Sequence, residues 1–339
     1  MGIRGNFKSW LSTNYPVCFK EVTYYELKNK KIAVDISPLM FNYKSWATDW
    51  ISTLTNYLIN FKKYNITLYI IFEGKSCDDK TDEKIKRKNN KDKLNLKKIE
   101  IQNNLEKLNS SKKISKEFLN YYLDLNSKRN KNSYYSIEYN LVNDKELDQD
   151  EINIINNICN IEIEKIDKQL SPITESDLQK LKKNFDDKNI FYFQANGEAE
   201  HLCVELCKRK IVEIVYSDDS DLIPLACPII LTKIPKSDNF CLLEIDNLLN
   251  NMDKSMEYLR DLAIFCGTDY NHGIPKIGII TAIKILNKYK SIDCFLNSKD
   301  EVEKYNIKND DLKKFNYEKV REIFALKDLI FDFSIFTNF

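Results

Sequence analysis

Five runs of near-continuous apolar residues punctuate the chain: Lys31–Ile36 (KIAVDI), Ile66–Phe72 (ITLYIIF), Asn189–Phe193 (NIFYF), Val212–Tyr216 (VEIVY) and Pro228–Ile234 (PIILTKI). Each has the length of a strand, is rich in β-branched residues and lacks the strict alternation of a half-solvated strand. That is the pattern of strands buried on both faces of a parallel sheet. Between them the apolar spacing changes to three and four. Trp46–Phe61 (WATDWISTLTNYLINF) predicts an amphipathic helix, Glu198–Arg209 opens a second directly after Gly197, and Leu259–Phe265 gives a third, more apolar one. Strands alternating with helices predict an α/β fold, a mostly parallel central sheet wrapped by helices.

In an open α/β sheet, ligands bind in the crevice at the carboxyl ends of the strands, and acidic residues recur there. Asp35 lies in the first run, Glu73 ends the second in FEGK, Glu198 and Glu200 follow the third in ANGEAE, and Asp219 and Asp221 follow the fourth in SDDSD. Asp269 follows the apolar helix in FCGTDY. Taken singly, each reads as a surface acid or a helix cap. Taken together, they predict a site. Two carboxylates about 4 Å apart repel by roughly 4 kcal/mol at an effective dielectric near 20, so several converge only around a compensating cation. Hard oxygen donors without His or Cys select Mg²⁺ or Mn²⁺. Seven of them suit two ions, the arrangement that hydrolyses phosphodiesters.

Composition narrows the class further. The 52 basic and 51 acidic residues nearly balance, and 43% hydrophobic with 30% charged residues describes an ordinary globular chain. Nine cysteines with no CxxC pair and only two histidines exclude zinc-finger spacing; Cys203, Cys266 and Cys294, inside apolar runs, read as reduced, buried thiols. No hydrophobic signal core opens the chain, and no apolar run approaches the roughly 18 residues that span a bilayer. An intracellular, soluble protein is therefore expected. The abundance of Lys, Asn and Ile fits an AT-rich genome such as that of a large DNA virus or a protist, which would place it in the host cytoplasm if viral and in the nucleus if cellular. Charge segregates at residues 80–116, where about a dozen lysines and Arg87 face roughly five acids.

The order and spacing of these motifs resemble the flap endonuclease (FEN/XPG) superfamily of structure-specific 5′ nucleases. MGIRGNFKSWL is similar to that family's MGIxGL start, VDISPLMF to its VDAS…Y segment, FEGK to FDGK, ANGEAE to APxEAEA, SDDSD to xEDxD, and GTDY with GIPKIG to its G(C/S)DY…GIxGIG. The resemblance implies that Asp35, Glu73, Glu198, Glu200, Asp219, Asp221 and Asp269 hold two Mg²⁺ ions, with Mn²⁺ able to substitute. Glu73 departs by one methylene from the family's usual Asp. It further implies that Lys80 and Arg87, seven residues or two helical turns apart, hold the scissile phosphate and stabilise transition-state charge. Phe41 stands where the family stacks an aromatic on a base, and Gly2 where an N-terminal glycine approaches DNA after methionine removal. At Ile274–Gly278, before a helix at Ile279–Lys288, the resemblance implies a helix-hairpin-helix region in which the Gly278 backbone meets DNA phosphate and K⁺ binds. Here Lys276 replaces a second glycine and the usual Pro-Lys pair after Gly278 is missing, a departure at the K⁺ site.

The expected organisation is then residues 1–79 as the first part of the nuclease core, 80–188 as a basic helical arch or insertion, 189–270 as the metal-bearing remainder of the core, and 271–339 as the hairpin region and tail. Residues 117–188 read as mostly helical, with acidic and Asn-rich connections. The ending FDFSIFTNF offers no glutamine to start a sliding-clamp box. The expected partner is branched or flapped DNA, cut by a 5′ flap endonuclease or 5′→3′ exonuclease in replication, repair or recombination. A Holliday-junction resolvase of the same superfamily, a PIN-like ribonuclease and a non-catalytic DNA-binding scaffold are the competing readings.

Overall fold

All five apolar runs become strands, and they pair in parallel. The computed structural model describes residues 2–4, 6–75, 80–127, 146–326 and 331–336, apart from the side chains of residues 81–83. The Asn-rich connection at 128–145 and the last three residues lie outside that set. The chain divides into two compact units, one formed by Met1–Met40, Ile51–Lys84 and Glu175–Phe339, the other by Phe41–Trp50 and Ile85–Thr174.

The first unit holds one seven-stranded sheet: β1 (Phe19–Val22), β2 (Lys31–Asp35), β3 (Thr67–Phe72), β4 (Phe191–Gln194), β5 (Ile214–Tyr216), β6 (Ile229–Lys233) and β7 (Phe240–Glu244), in the order β1-β7-β6-β5-β2-β3-β4. From β6 to β4 every pairing is parallel; β7 and β1 close one edge antiparallel. The chain builds outward from β2 through β3 to β4, then returns to the opposite side of β2 to lay down β5 and β6. That reversal opens a crevice beside the carboxyl end of β2, where ligands bind in such sheets. Register aligns the acidic ends: Asp35 pairs with Ile71, two residues before Glu73, and Val34 pairs with Tyr216, three residues before Asp219.

The helices in chain order are α1 (Phe7–Asn14), α2 (Ile36–Trp46), α3 (Trp50–Lys62), α4 (Thr81–Ser111), α5 (Lys116–Ser127), α6 (Gln149–Leu170), α7 (Glu175–Asp187), α8 (Ala199–Lys208), α9 (Ile245–Met252), α10 (Met256–Cys266), α11 (Ile279–Tyr289), α12 (Ile292–Leu296), α13 (Lys299–Lys304), α14 (Asn309–Phe315) and α15 (Tyr317–Phe324). Among the described residues no helix is long and apolar enough to cross a membrane. The core of the first unit packs Phe7 and Leu11 of α1, Leu202 and Val204 of α8, Leu262 and Phe265 of α10, and Val215 of β5.

Three local expectations change. The helix expected over Trp46–Phe61 is two helices, because Thr48 and Asp49, residue types that favour turns, interrupt it. Strands β1 and β7 gave no strand signal: β1 is mostly solvated at the sheet edge (FKEV), and β7 forms by folding back on β6. Of the thiols expected to be buried, Cys203 is buried, but Cys266 is half-buried and Cys294 is exposed.

The second unit is helical. Ile101, Leu105 and Leu108 line one face of the C-terminal half of α4 and pack with Phe118 and Tyr122 of α5 and Ile152, Ile155 and Cys159 of α6. Lys97–Glu162 (3.1 Å) and Lys98–Asp167 (2.6 Å) join α4 to α6, whose start is fixed by a capping box of Asp148 and Glu151. The expected insertion of 80–188 is longer than this unit at its C-terminal end, because Leu181 and Phe185 of α7, four residues apart, are buried in the first unit, where the Phe185 ring lies 6.2 Å from Phe72.

One ion-pair network fixes α10, the helix that delivers Asp269. The Arg321 guanidinium of α15 grips Asp261 of α10 with two bonds (Nε to Oδ1 2.8 Å, Nη2 to Oδ2 2.7 Å) and Asp293 of α12 with a third (2.7 Å). Asp261 is nearly fully buried and also accepts the Ile292 N–H at 3.0 Å. Removing one partner of such a pair strands a buried charge. Arg321→Ala is therefore expected to destabilise the protein by about 3 kcal/mol, and the double change with Asp261→Leu by less than Arg321→Ala alone. Urea denaturation followed by circular dichroism measures both; equal midpoints for wild type and Arg321→Ala would show that the network carries no stability.

Candidate metal centre

Asp35 ends β2 and is buried, with its two oxygens held apart: Oδ1 accepts the Ser37 N–H (3.1 Å) and Oδ2 the Ser217 hydroxyl (3.1 Å). Ser217 Oγ in turn accepts the Asp219 N–H at 3.2 Å, so this serine aligns the ends of β2 and β5. Asp219 caps the 3-10 turn Ser220–Leu222 through Oδ1, which accepts the Asp221 N–H at 2.9 Å. This hydrogen bond fixes the spacing of the two acids.

The Glu73 loop and the loop before α8 are laced together. Gly74 N–H donates to Gly197 O (2.8 Å), Lys75 N–H to Asn196 O (3.2 Å), and the Gln194 side-chain amide to the Glu73 carbonyl. A Cβ at Gly74 would lie 2.1 Å from Ala195 O, so only glycine permits this approach. Glu73 Oε2 accepts the Ala199 N–H at 3.3 Å, capping α8, whose N-cap residue Glu198 makes no side-chain cap bond. Glu73, Glu198 and Glu200 each offer a carboxylate oxygen within 4.8 Å of the others.

A lysine sits among them. Lys80, immediately before α4, donates to Glu198 Oε2 (2.6 Å) and Glu200 Oε1 (3.2 Å), and its ammonium lies 5.0 Å from the centre of the Tyr270 ring. Burial opposes the charge, yet Glu200 and Glu198 outweigh it and raise the Lys80 pKa.

The second acidic group centres on Asp221. Asp221 is fully buried, and neither of its carboxylate oxygens has a hydrogen-bond partner among the described residues. Burial, then Asp219 and Asp269, push its pKa well up. Burial and Asp219 push Asp35 to about 7; burial and Glu198 push Glu73 to about 8; burial raises Glu200 against the pull of Lys80. Each of the seven carboxyls acts electrostatically on another of the set, so the structure brings all seven together. A buried carboxylate with both oxygens unpaired costs several kcal/mol unless it is protonated or meets a cation. The cluster therefore fits a divalent metal, and oxygen-only donors favour a hard one.

The remaining candidates fall in different places. Gly2 is buried at φ +92°, and a Cβ there would lie 2.3 Å from Asp219 Oδ1 and 2.8 Å from Asp221 Oδ1. The next N–H, of Ile3, donates to Ser220 Oγ at 2.8 Å, and the Arg4 N–H to Gly267 O at 2.8 Å. The N-terminus thus straps the Asp219–Asp221 turn to the loop that carries Asp269. Phe41 is 56% exposed on α2, which rules out a core role. Gly278 caps α11, and a Cβ there would meet nothing, so the backbone is open to an approaching group. Lys276 adopts φ +69°, the left-handed conformation that explains a glycine preference at this position.

Arg87 is exposed on α4, in the second unit. Because Lys80 precedes the helix, the two-turn spacing does not by itself align these side chains. Sequence reasoning missed Ser217, His201 and Tyr270, which neighbour the acidic motifs. His201 is neutral at physiological pH, since burial pushes its imidazole down to about 4.

A family model for the XPG I-region matches residues 189–269, the segment that carries Glu198, Glu200, Asp219, Asp221 and Asp269. A probable RAD2-like endonuclease, 076L, of Invertebrate iridescent virus 3 is 26% identical over 315 residues, covering 86% of this chain and 80% of the viral protein. Flap endonuclease 1 of Cryptosporidium muris is 32% identical over 149 residues, 40% of this chain and 30% of that one. Among solved structures, the catalytic core of Rad2 in complex with DNA substrate matches with a TM-score of 0.59 at 14% identity, covering 95% of this chain and 85% of that one, a likeness of fold. Five of the seven acids thus lie in the matched segment, and the chain is a nuclease that acts on DNA, similar in its motifs to the FEN/XPG family and in its fold to the Rad2 core.

Proposed function

We propose that this nuclease is a 5′ flap endonuclease with 5′→3′ exonuclease activity, hydrolysing DNA phosphodiesters with two Mg²⁺ ions, in replication, repair or recombination. The observation that carries the metal reading is the split of the acids. Glu73, Glu198 and Glu200 form one group around Lys80, and Asp219, Asp221 and Asp269 form a second in which the Asp221 oxygens are unpaired. Asp35 interacts with both. Two divalent ions held by these carboxylates would supply activation of water and stabilisation of the leaving oxygen.

The chain's own groups then have distinct tasks. Lys80 is the counter-cation of Glu198 and Glu200; once those carboxylates are neutralised, its ammonium is released to a phosphate oxygen. Arg87, exposed on α4, offers its guanidinium to a DNA phosphate. The exposed first half of α4 carries Lys84, Lys86, Arg87, Lys88, Lys91 and Lys93, a basic run suited to a single-stranded 5′ tail. That basic run favours a flap enzyme over a resolvase. Phe41, exposed, offers a ring for sequence-independent stacking, worth about 1–3 kcal/mol per base. The open backbone at Gly278 and the start of α11 offer N–H groups to duplex phosphate.

Asp219→Asn combined with Asp221→Asn is expected to abolish Mg²⁺-dependent incision of a labelled 5′ flap near its junction, with nicked, gapped and four-way substrates run alongside. Full activity in the double variant would sink the metal assignment, and faster cutting of four-way junctions than of flaps at matched salt would reassign the enzyme as a resolvase.

Proton linkage gives a second expectation. Asp35 and Glu73, raised to about 7 and about 8, keep protons in the folded, metal-free chain that the unfolded chain releases above about pH 4. The folded state binds more protons in that window, so metal-free stability falls as pH rises toward 8. Binding of a divalent metal by these carboxyls would require loss of those protons and would reverse the fall. The melting temperature of EDTA-treated protein should be lower at about pH 8.5 than at about pH 5.5, and the rise on adding Mg²⁺ should be larger at the higher pH. An Mg²⁺ effect that is equal at both would contradict metal binding by these carboxyls.

A further inference from the structure

We infer that Tyr270 is a positioning residue for Lys80, with His201 fixing the tyrosine in turn. The inference rests on the reading of Lys80 as the phosphate-binding cation. Tyr270 directly follows Asp269 and is itself buried. Its ring face lies 5.0 Å from the Lys80 ammonium, while its hydroxyl reaches Glu200 Oε1 at 3.5 Å and His201 Nε2 at 3.4 Å. The His201 ring stacks on it with centroids 6.4 Å apart, and Phe324 braces it in a T-shaped contact at 6.1 Å and 88°.

The donors can be assigned. The tautomer of His201 sets the direction of its bond with the phenol. If Nε2–H donates to the phenol oxygen, the phenol hydrogen is free for Glu200, and the carboxylate is the stronger acceptor available. This order gives both hydroxyl contacts a donor, and it holds the plane of the Tyr270 ring. With the opposite tautomer the phenol hydrogen would go to His201, leaving its contact with Glu200 without a donor.

The ring matters because of what happens to the other two restraints. Lysine is a point charge on a flexible four-carbon stem. Here it is held by Glu198, Glu200 and the Tyr270 face. With Glu198 and Glu200 neutralised, both ion pairs would weaken at the stage when Lys80 has to meet phosphate. The aromatic face is unaffected, and an ammonium over a ring is held more firmly in a desolvated site than in water. Tyr270 therefore keeps the ammonium in place when the carboxylates no longer do.

The test uses the full-length chain, a 5′-flap substrate and single-turnover rates with Mg²⁺, alongside DNA affinity measured in Ca²⁺ and melting temperature. Tyr270→Leu is expected to slow incision by about tenfold with affinity unchanged, Tyr270→Phe by clearly less because the ring remains, and Lys80→Ala/Tyr270→Leu to be no slower than Lys80→Ala. Should Tyr270→Leu fail to fold, phenylalanine with increasing fluorine substitution at position 270 keeps the shape while draining the ring of electron density. The rate should then fall stepwise with fluorine number. A flat fluorine series, or an equal loss from Tyr270→Leu with and without Lys80, overturns the inference alone. A wild-type rate for Lys80→Ala overturns the role of Lys80 and the inference with it.

Discussion

Seven carboxyl groups forced into one crevice repel one another, and the architecture around them answers that repulsion. Parallel pairing of β2, β3, β4 and β5 delivers the acids to one edge of the sheet, and the chain reversal at β2 sets Asp35 beside the turn that carries Asp219 and Asp221. Without close backbone approaches the groups would relax apart. Gly74 against Ala195 and Gly2 against the Asp219–Asp221 turn remove that freedom, at positions where a side chain could not fit. Protons and Lys80 meet the resulting charge in this fold, and a divalent cation held by the acids would compete with both.

The strands were legible because burial on both faces leaves an unbroken apolar run, and the acids because the ends of such runs have a fixed chemical address. The edge strands were harder to read. β1 (FKEV) is largely solvated and takes its conformation from β7, so its pattern carries little strand signal. The break at residues 47–49 was hidden by a periodicity that ran across it. Whether a lysine precedes a helix or lies on it is decided by where the helix starts, and spacing alone placed Lys80 and Arg87 on one face.

Ser217, His201 and Tyr270 were missed for a different reason. Each acts on a neighbour across the sheet or across a loop, and nothing in a linear sequence says that a serine after β5 will hold an aspartate at the end of β2. A buried polar residue next to a cluster of acids is nonetheless a signal that can be read. Such a group has to find a partner, and the nearest unsatisfied acceptors are the acids themselves.

Glu73 shows how the departure from the family pattern fits the local structure. An N-cap glutamate whose side chain does not close its own helix leaves the first N–H groups of α8 in need of an acceptor. Glu198 is turned to Lys80 instead, and Glu73 takes up the Ala199 N–H with one oxygen while the cluster shares its carboxylate. The extra methylene is therefore spent on reaching the start of α8, and it ties the loop after β3 to the helix that carries Glu200. Shortening that arm to aspartate would draw the carboxylate back from the helix and leave the N–H unpaired, unless the loop moved with it. Gly74, pressed against Ala195 and Asn196, leaves the loop little room to do so.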